Sequence, residues 1–197
     1  MRALGWEPAV APLLKVEPLP FDPAVGDNAA ALAFTSANGV RAWTAGGGRT
    51  DLPALAVGRG TAEAARGAGF AAVRSADGDG AALAAMISRD PPDGSVLHPA
   101  AEEPAMELAA VLGAAGVPAF SVAAYRTAET GAEAPAGVGL ALLHSPRAAR
   151  AYARLDGPPA ALCLSEAVAA PLREAGLAVA GVADCPSEEA LLKLLAG

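Results

Sequence analysis

The stretch Leu32-Ala-Phe-Thr-Ser-Ala-Asn-Gly-Val-Arg-Ala-Trp43 constrains this chain more than any other. An apolar run of strand length, Leu32 to Phe34, stops at Thr35-Ser36 and gives way to a helix near Asn38, with hydroxyl and Asn residues on hand to cap it. Such a junction leaves free backbone N–H groups and the positive end of a helix dipole at the carboxyl edge of a sheet, where anionic ligands bind. The same pattern returns about a hundred residues later as Leu140-Ala-Leu-Leu-His-Ser-Pro-Arg-Ala-Ala-Arg-Ala-Tyr152. There the strand ends in Ser145, and Pro146 suits a first helical turn. Two copies of one junction imply a duplicated architecture with a ligand site between the copies.

The rest of the chain supports that reading. Strands are expected at Pro8–Val16, Ala31–Phe34, Leu55–Val57, Ala71–Arg74, Val96–His98, Val117–Arg126, 138–144, Ala161–Leu164 and Leu177–Val182. Helices fall between them: one from Asn38 to Gly46-Gly47-Gly48, then one from Gly58-Arg-Gly-Thr-Ala62 to Gly67 or Gly69, and others at Ala81–Arg89, Glu103–Ala115, 146–155, Glu166–Glu174 and Ser187–Leu195. Regular alternation of strand and helix means an α/β fold on parallel sheets. With 53% hydrophobic, 18% charged and only 4% aromatic residues, the chain is globular and must pack through Ala and Gly at close range. A formal charge of −7 without a Lys/Arg run argues against a nucleic-acid partner. Cys163 and Cys185 lack CxxC spacing and are expected as buried, reduced thiols. The start, Met1-Arg-Ala-Leu-Gly-Trp-Glu-Pro, has no long apolar core, and the apolar stretch from Ala134 to Pro146 is broken by Pro135 and too short to span a bilayer. No membrane association and a cytoplasmic location are therefore expected.

The duplication extends beyond the junction. Gly58 to Phe70 lies over Ser165 to Leu177 without a gap, and Gly5-Trp-Glu-Pro-Ala lies over Gly116-Val-Pro-Ala with one residue skipped. The second copy has a strand and helix before that point, Val96 to Ala115, where the first has only Met1-Arg-Ala-Leu. By its own repeat the chain is expected to lack one N-terminal strand and most of a helix.

Ala33-Phe-Thr-Ser-Ala-Asn-Gly-Val40, Ala56-Val-Gly-Arg-Gly-Thr-Ala62, Ala124-Tyr-Arg-Thr127 and the Ser145 repeat resemble, in this order and spacing, the uroporphyrinogen-III synthase family. The resemblance implies two flavodoxin-like parallel-sheet α/β domains joined by two strand linkers, with the active site in the cleft between them. It places a discontinuous domain at 1–15 plus 126–197, lacking its first strand, and an inserted domain at 18–122, with linkers around 14–18 and 121–127. It implies cyclisation of linear hydroxymethylbilane to uroporphyrinogen III, with inversion of the terminal pyrrole ring and loss of water: a carbon–oxygen lyase of haem biosynthesis. No cofactor and no metal are implied, the partner is a linear tetrapyrrole, and a monomer is expected. Two other readings compete. One is a truncated, inactive tetrapyrrole-binding or regulatory module of the same fold; the other is a periplasmic-type binding protein, against which the absence of a signal peptide counts. At the family's positions Val168 stands for a usual Thr, and Ala101 for a frequent Gly.

The resemblance makes Tyr125, in the linker strand, the candidate to donate a hydrogen bond to the departing hydroxyl; otherwise its ring anchors two domains. Thr35, Ser36, Asn38, Gly58, Thr61, Ser145 and Ser165 sit at strand-to-helix junctions, as substrate-carboxylate ligands or as plain helix caps, and both can hold at once. Arg59 and Arg147, and behind them Arg41 and Arg126, can pair with acetate and propionate arms. His98 and His144 each end a strand and are expected as satisfied histidines. Gly58-Arg-Gly60 lacks the third Gly of a dinucleotide fingerprint, and Asp77-Gly-Asp-Gly80 lacks the remaining ligands of a calcium loop.

Overall fold

The structure, a computed structural model, describes residues 5–195. The ends of the discontinuous domain expected over 1–15 and 126–197 thus lie outside the described residues at 1–4 and 196–197. The chain divides into two compact units, one of residues 16–127 and one of residues 1–15 with 128–197.

The larger unit is built on a six-stranded sheet. Its strands are β1 (Leu14–Pro18), β2 (Ala31–Phe34), β3 (Ala54–Ala56), β4 (Val73–Ser75), β5 (Val96–Ala101) and β6 (Ala119–Glu129), in the order β1-β6-β5-β2-β3-β4. The pairings β2–β3, β2–β5, β3–β4 and β5–β6 are all parallel. Strand β2 is buried along its whole length, which explains its unbroken apolar run. Helices α1 (Ala37–Ala45) and α2 (Arg59–Gly67) follow β2 and β3, while α3 (Gly80–Arg89) and α4 (Leu108–Ala114) follow β4 and β5. Two cores result. Ala31, Ala33, Val96 and Val117 pack with Leu83 and Ile87 of α3 and Leu108 and Leu112 of α4. Leu32, Phe34 and Leu97 pack with Val40 and Trp43 of α1 and Ala65 of α2. The few aromatics are concentrated in this second layer: Phe34 meets Phe70 edge-on at 5.6 Å, and Phe21 stacks on Trp43 at 5.2 Å. Full burial of such a ring contributes roughly 1.5–3 kcal/mol, which lets Ala and Gly fill the rest.

The smaller unit carries a three-stranded parallel sheet of β7 (Leu140–Leu143), β8 (Ala160–Cys163) and β9 (Val179–Val182), in that order. Helices α5 (Pro146–Tyr152) and α6 (Glu166–Glu174) cover one face, where Leu143, Ala149, Tyr152, Ala161, Val168 and Leu172 are buried together. Helix α7 (Glu188–Lys193) brings Leu191 onto Leu162 on the other.

Several boundaries differ from the sequence reading. The strand expected over Pro8–Val16 begins only at Leu14, because Pro8 and Pro12 have no N–H to offer a ladder. The helix expected from Glu103 starts at Leu108: Pro104 disfavours helical backbone at Glu103 and delays the turn. Strand β5 continues past His98 to Ala101, and β6 runs on to Glu129. Cys163 is buried as expected, but Cys185 is exposed in the loop before α7, with its thiol 3.4 Å from the Ser187 hydroxyl. No helix among the described residues is long and apolar enough to cross a membrane.

Candidate functional site

In the larger unit the chain leaves β2 in one direction through β3 and β4, then crosses back to β5 and β6. The strand order therefore reverses between β2 and β5, and in an open α/β sheet ligands bind in the crevice beyond the carboxyl ends of the strands at that reversal. Thr35 directly follows β2 there. Ser36 caps α1 in extended conformation, and its hydroxyl accepts from the Asn38 N–H at 3.1 Å. The Asn38 side chain accepts from Arg41 at 3.0 Å. One strand over, Gly58 begins α2 with no side chain to cap it, and Arg59 stands exposed at the first helical position. Neither helix has an acidic residue in its first turn. First-turn N–H groups without intrahelical partners, side by side on adjacent strands, form a field that favours anions. Thr61 is buried in that turn of α2.

Tyr125 lies on β6 opposite Ala101, where the β5–β6 register shifts. It is 7% exposed and packs with Ala42 and Ala124. Gly39 of α1 brings the helix close: a Cβ there would stand 3.7 Å from the Tyr125 ring and 2.7 Å from the Pro99 carbonyl oxygen. The Tyr125 hydroxyl has no hydrogen-bond partner among the described residues, whereas its backbone carbonyl accepts from Glu102 at 2.8 Å. Thr35, Ser36, Asn38, Gly58, Arg59, Thr61 and Tyr125 thus all belong to the larger unit.

The other predicted residues lie in the smaller unit. Ser145 caps α5 by accepting from the Ala148 N–H at 3.1 Å, and Arg147 is exposed in its first turn. Ser165 precedes α6 without making a side-chain cap bond. His144, after β7, is bonded to Glu188 at 2.8 Å, a partner 44 residues away that sequence proximity does not reveal.

His98 has a larger place than its sequence suggests. It sits within β5, is 2% exposed, and places Nε2 3.0 Å from the Thr35 hydroxyl, with the Ser121 hydroxyl 3.5 Å from Nδ1. Burial pushes its pKa down to about 4. The only signal in the sequence was a polar residue in an apolar strand. The two acids of the Asp77–Gly80 loop serve local turns: Asp77 bonds Ser75, and Asp79 caps α3 by accepting from Ala82 at 2.9 Å. No group of three His, Cys, Asp or Glu side chains gathers as a metal site among the described residues.

Known proteins share this architecture. The chain is similar to uroporphyrinogen-III synthetase from Helicobacter pylori, with 21% identity, a TM-score of 0.67, and 95% of this chain and 93% of the other covered. It also matches a mutant uroporphyrinogen III synthase from the extremely thermophilic bacterium Thermus thermophilus, with 20% identity, a TM-score of 0.52, and 98% and 88% covered. No curated protein matches the sequence. The profile of the family described as uroporphyrinogen-III synthase HemD matches residues 1–193. The chain therefore belongs to the uroporphyrinogen-III synthase family, and its function is that family's lyase role in tetrapyrrole biosynthesis.

Proposed function

We propose that the chain cyclises hydroxymethylbilane to uroporphyrinogen III as a hydro-lyase, using the strand-end groups of its sheets to hold the substrate's carboxylates. One observation carries this reading: the N-termini of α1 and α2 open beside each other on adjacent strands, with no acid in either first turn. The substrate carries acetate and propionate arms on every ring, and such a field suits them. Thr35, Ser36, Asn38, Gly58, Arg59 and Thr61 are the carboxylate ligands of the larger unit; Ser145, Arg147 and Ser165 are those of the smaller.

Loss of the terminal hydroxyl leaves an electrophilic azafulvene. Free substrate then closes to the uninverted isomer, so the protein must favour attack at the carbon that already bears a substituent. Holding the chain of pyrroles in one folded conformation supplies selectivity through positioning. Attack gives a spiro intermediate, which opens and recloses with the last ring inverted. Tyr125 donates a hydrogen bond to the hydroxyl as it departs; phenols are weak acids near neutral pH, so the help comes mainly from that bond, while the proton that completes water is available from solvent. The test is product analysis. Freshly generated hydroxymethylbilane is incubated with the purified chain, and the oxidised uroporphyrins are separated by chromatography. Isomer III is expected to predominate; isomer I alone, from a well-folded sample, would refute the reading. Tyr125→Phe is expected to lower the isomer III rate roughly 10- to 100-fold without unfolding the protein, a loss typical of a single hydrogen bond made to a developing charge. An unchanged rate removes Tyr125 from the mechanism.

A further inference from the structure

Thr35 and His98 meet across β2 and β5, at the point where the strand order reverses. His98 lies on the strand face that it shares with Val96 and Ala100, and Val96 belongs to the apolar cluster under α3 and α4. We infer that His98 is a positioning residue: its Nε2–H donates to the Thr35 oxygen and so frees the Thr35 hydroxyl hydrogen for a substrate carboxylate at the start of α1. This rests on the reading of Thr35 as a carboxylate ligand.

The argument is one of counting hydrogens. A neutral imidazole has one N–H and one lone pair, and burial holds His98 neutral near pH 7. It lies between two hydroxyls, each with a single hydrogen. If Nε2 carries the proton, Thr35 accepts from it and keeps its own hydrogen to give, while Ser121 donates to Nδ1. If Nδ1 carries the proton, Thr35 must donate to Nε2 and shows the crevice only lone pairs. A carboxylate accepts and never donates, so it is bound by the first arrangement and repelled by the second. The contact at Nε2 is 3.0 Å and that at Nδ1 is 3.5 Å, so the ring is held most firmly by the hydroxyl that it would polarise. Ser121 is exposed and can turn to water in either state. Ligand binding and tautomer are then linked, each favouring the other.

The experiment is a double-mutant cycle on hydroxymethylbilane turnover, with folding checked by circular dichroism and melting. Thr35→Val and His98→Leu are each expected to raise KM about tenfold with kcat within about twofold, the loss typical of one hydrogen bond to a charge. The double variant should be no worse than either alone. His98→Gln, which keeps an N–H near the place of Nε2, should recover most of the loss. Full additivity of the two single losses, or a lowered Tm with unchanged KM in His98→Leu, overturns the inference while leaving Thr35 as a ligand. An unchanged KM in Thr35→Val overturns the binding reading and this inference together. Nitrogen-15 NMR of the wild-type histidines, with uroporphyrinogen III added under reducing conditions, decides the matter even where His98→Leu fails to fold. A proton on Nε2 in the complex supports the inference, and a proton on Nδ1 overturns it.

Discussion

The two copies of the strand-to-helix junction reach the same local geometry in different surroundings. Ser36 and Ser145 cap α1 and α5 in nearly the same extended backbone conformation. At the far end of each helix an aromatic side chain reaches the loop that leads to the next strand: Trp43 donates to the Arg49 carbonyl at 2.9 Å, and Tyr152 to the Pro159 carbonyl at 2.7 Å. What lies beside the strand differs. Strand β2 is flanked by β3 and β5, whereas β7 pairs with β8 alone among the described residues. On its other side is a groove lined by Trp6, Val10, Pro135 and Val138, among others. At Gly39 a methyl would force a shift, because β5 brings the Pro99 oxygen to within 2.7 Å of where a Cβ would stand; its counterpart Ala148 carries a Cβ, and among the described residues no second strand flanks β7. Thr35 meets His98 of β5, while its counterpart His144 turns instead to Glu188 at an exposed site. A repeat thus preserves caps and anchors, which are local, and changes the residues whose fit depends on a neighbouring strand.

The comparison can be broken by stability measurements. Phe34→Ala should cost about 3–5 kcal/mol and Leu143→Ala about 2–3, because Phe34 is the larger side chain and is wholly buried at the end of a strand flanked on both sides. Equal losses in urea denaturation would mean that neither side-chain size nor a second flanking strand sets the loss. Acid should act next, through His98, whose pKa falls from an ordinary 6.5 to about 4 on burial. Between those values the unfolded chain binds a proton that the native state refuses. Stability contributed by neutral burial is therefore complete above pH 6.5, is lost as pH falls to about 4, and is flat below, for a total of about 3 kcal/mol. His98→Leu should flatten that part of the pH profile; an unaltered slope would place the acid sensitivity elsewhere.

Smaller effects sharpen the contrast. Gly39→Ala should destabilise by about 1–3 kcal/mol through the clash with Pro99, and Ala148→Gly by about 1 kcal/mol through helix propensity. Adding a methyl harms one copy, and removing one harms the other; a stabilising Gly39→Ala would show that β5 yields. Ser36→Ala and Ser145→Ala should each cost about 1 kcal/mol, since both remove the same cap. Thermal melts that differ widely between these two would break the equivalence of the junctions.

Much of this was legible in the residues. Apolar runs of strand length, hydroxyl caps at Ser36, Ser145 and Ser187, and the glycine after α1 are short-range signals, so they mark elements without knowledge of the fold. Helix α6 has the bounds expected from the sequence, because Ser165 and Glu166 open it and Gly176 closes it. Thr35, Ser36, Asn38, Gly58, Arg59 and Thr61 are nominated as ligands by the same kind of signal: all lie within a few residues of a strand's end.

Tertiary structure decided the rest, and in each case through contacts between residues far apart in the chain. Where β1 begins and how far β6 runs depend on their ladder partners, and the sequence shows only that Pro8 and Pro12 are poor ladder donors. The exposure of Cys185 depends on the loop before α7 lying outside the core that takes in Cys163. The pairing of His98 with Thr35 spans 63 residues and exists because the chain crosses back to lay β5 beside β2. Period and capping are properties of a few neighbouring residues, so the sequence by itself determines them. Which hydroxyl an imidazole meets, and which glycine has no room for a methyl, follows from strand order, which only the folded chain supplies.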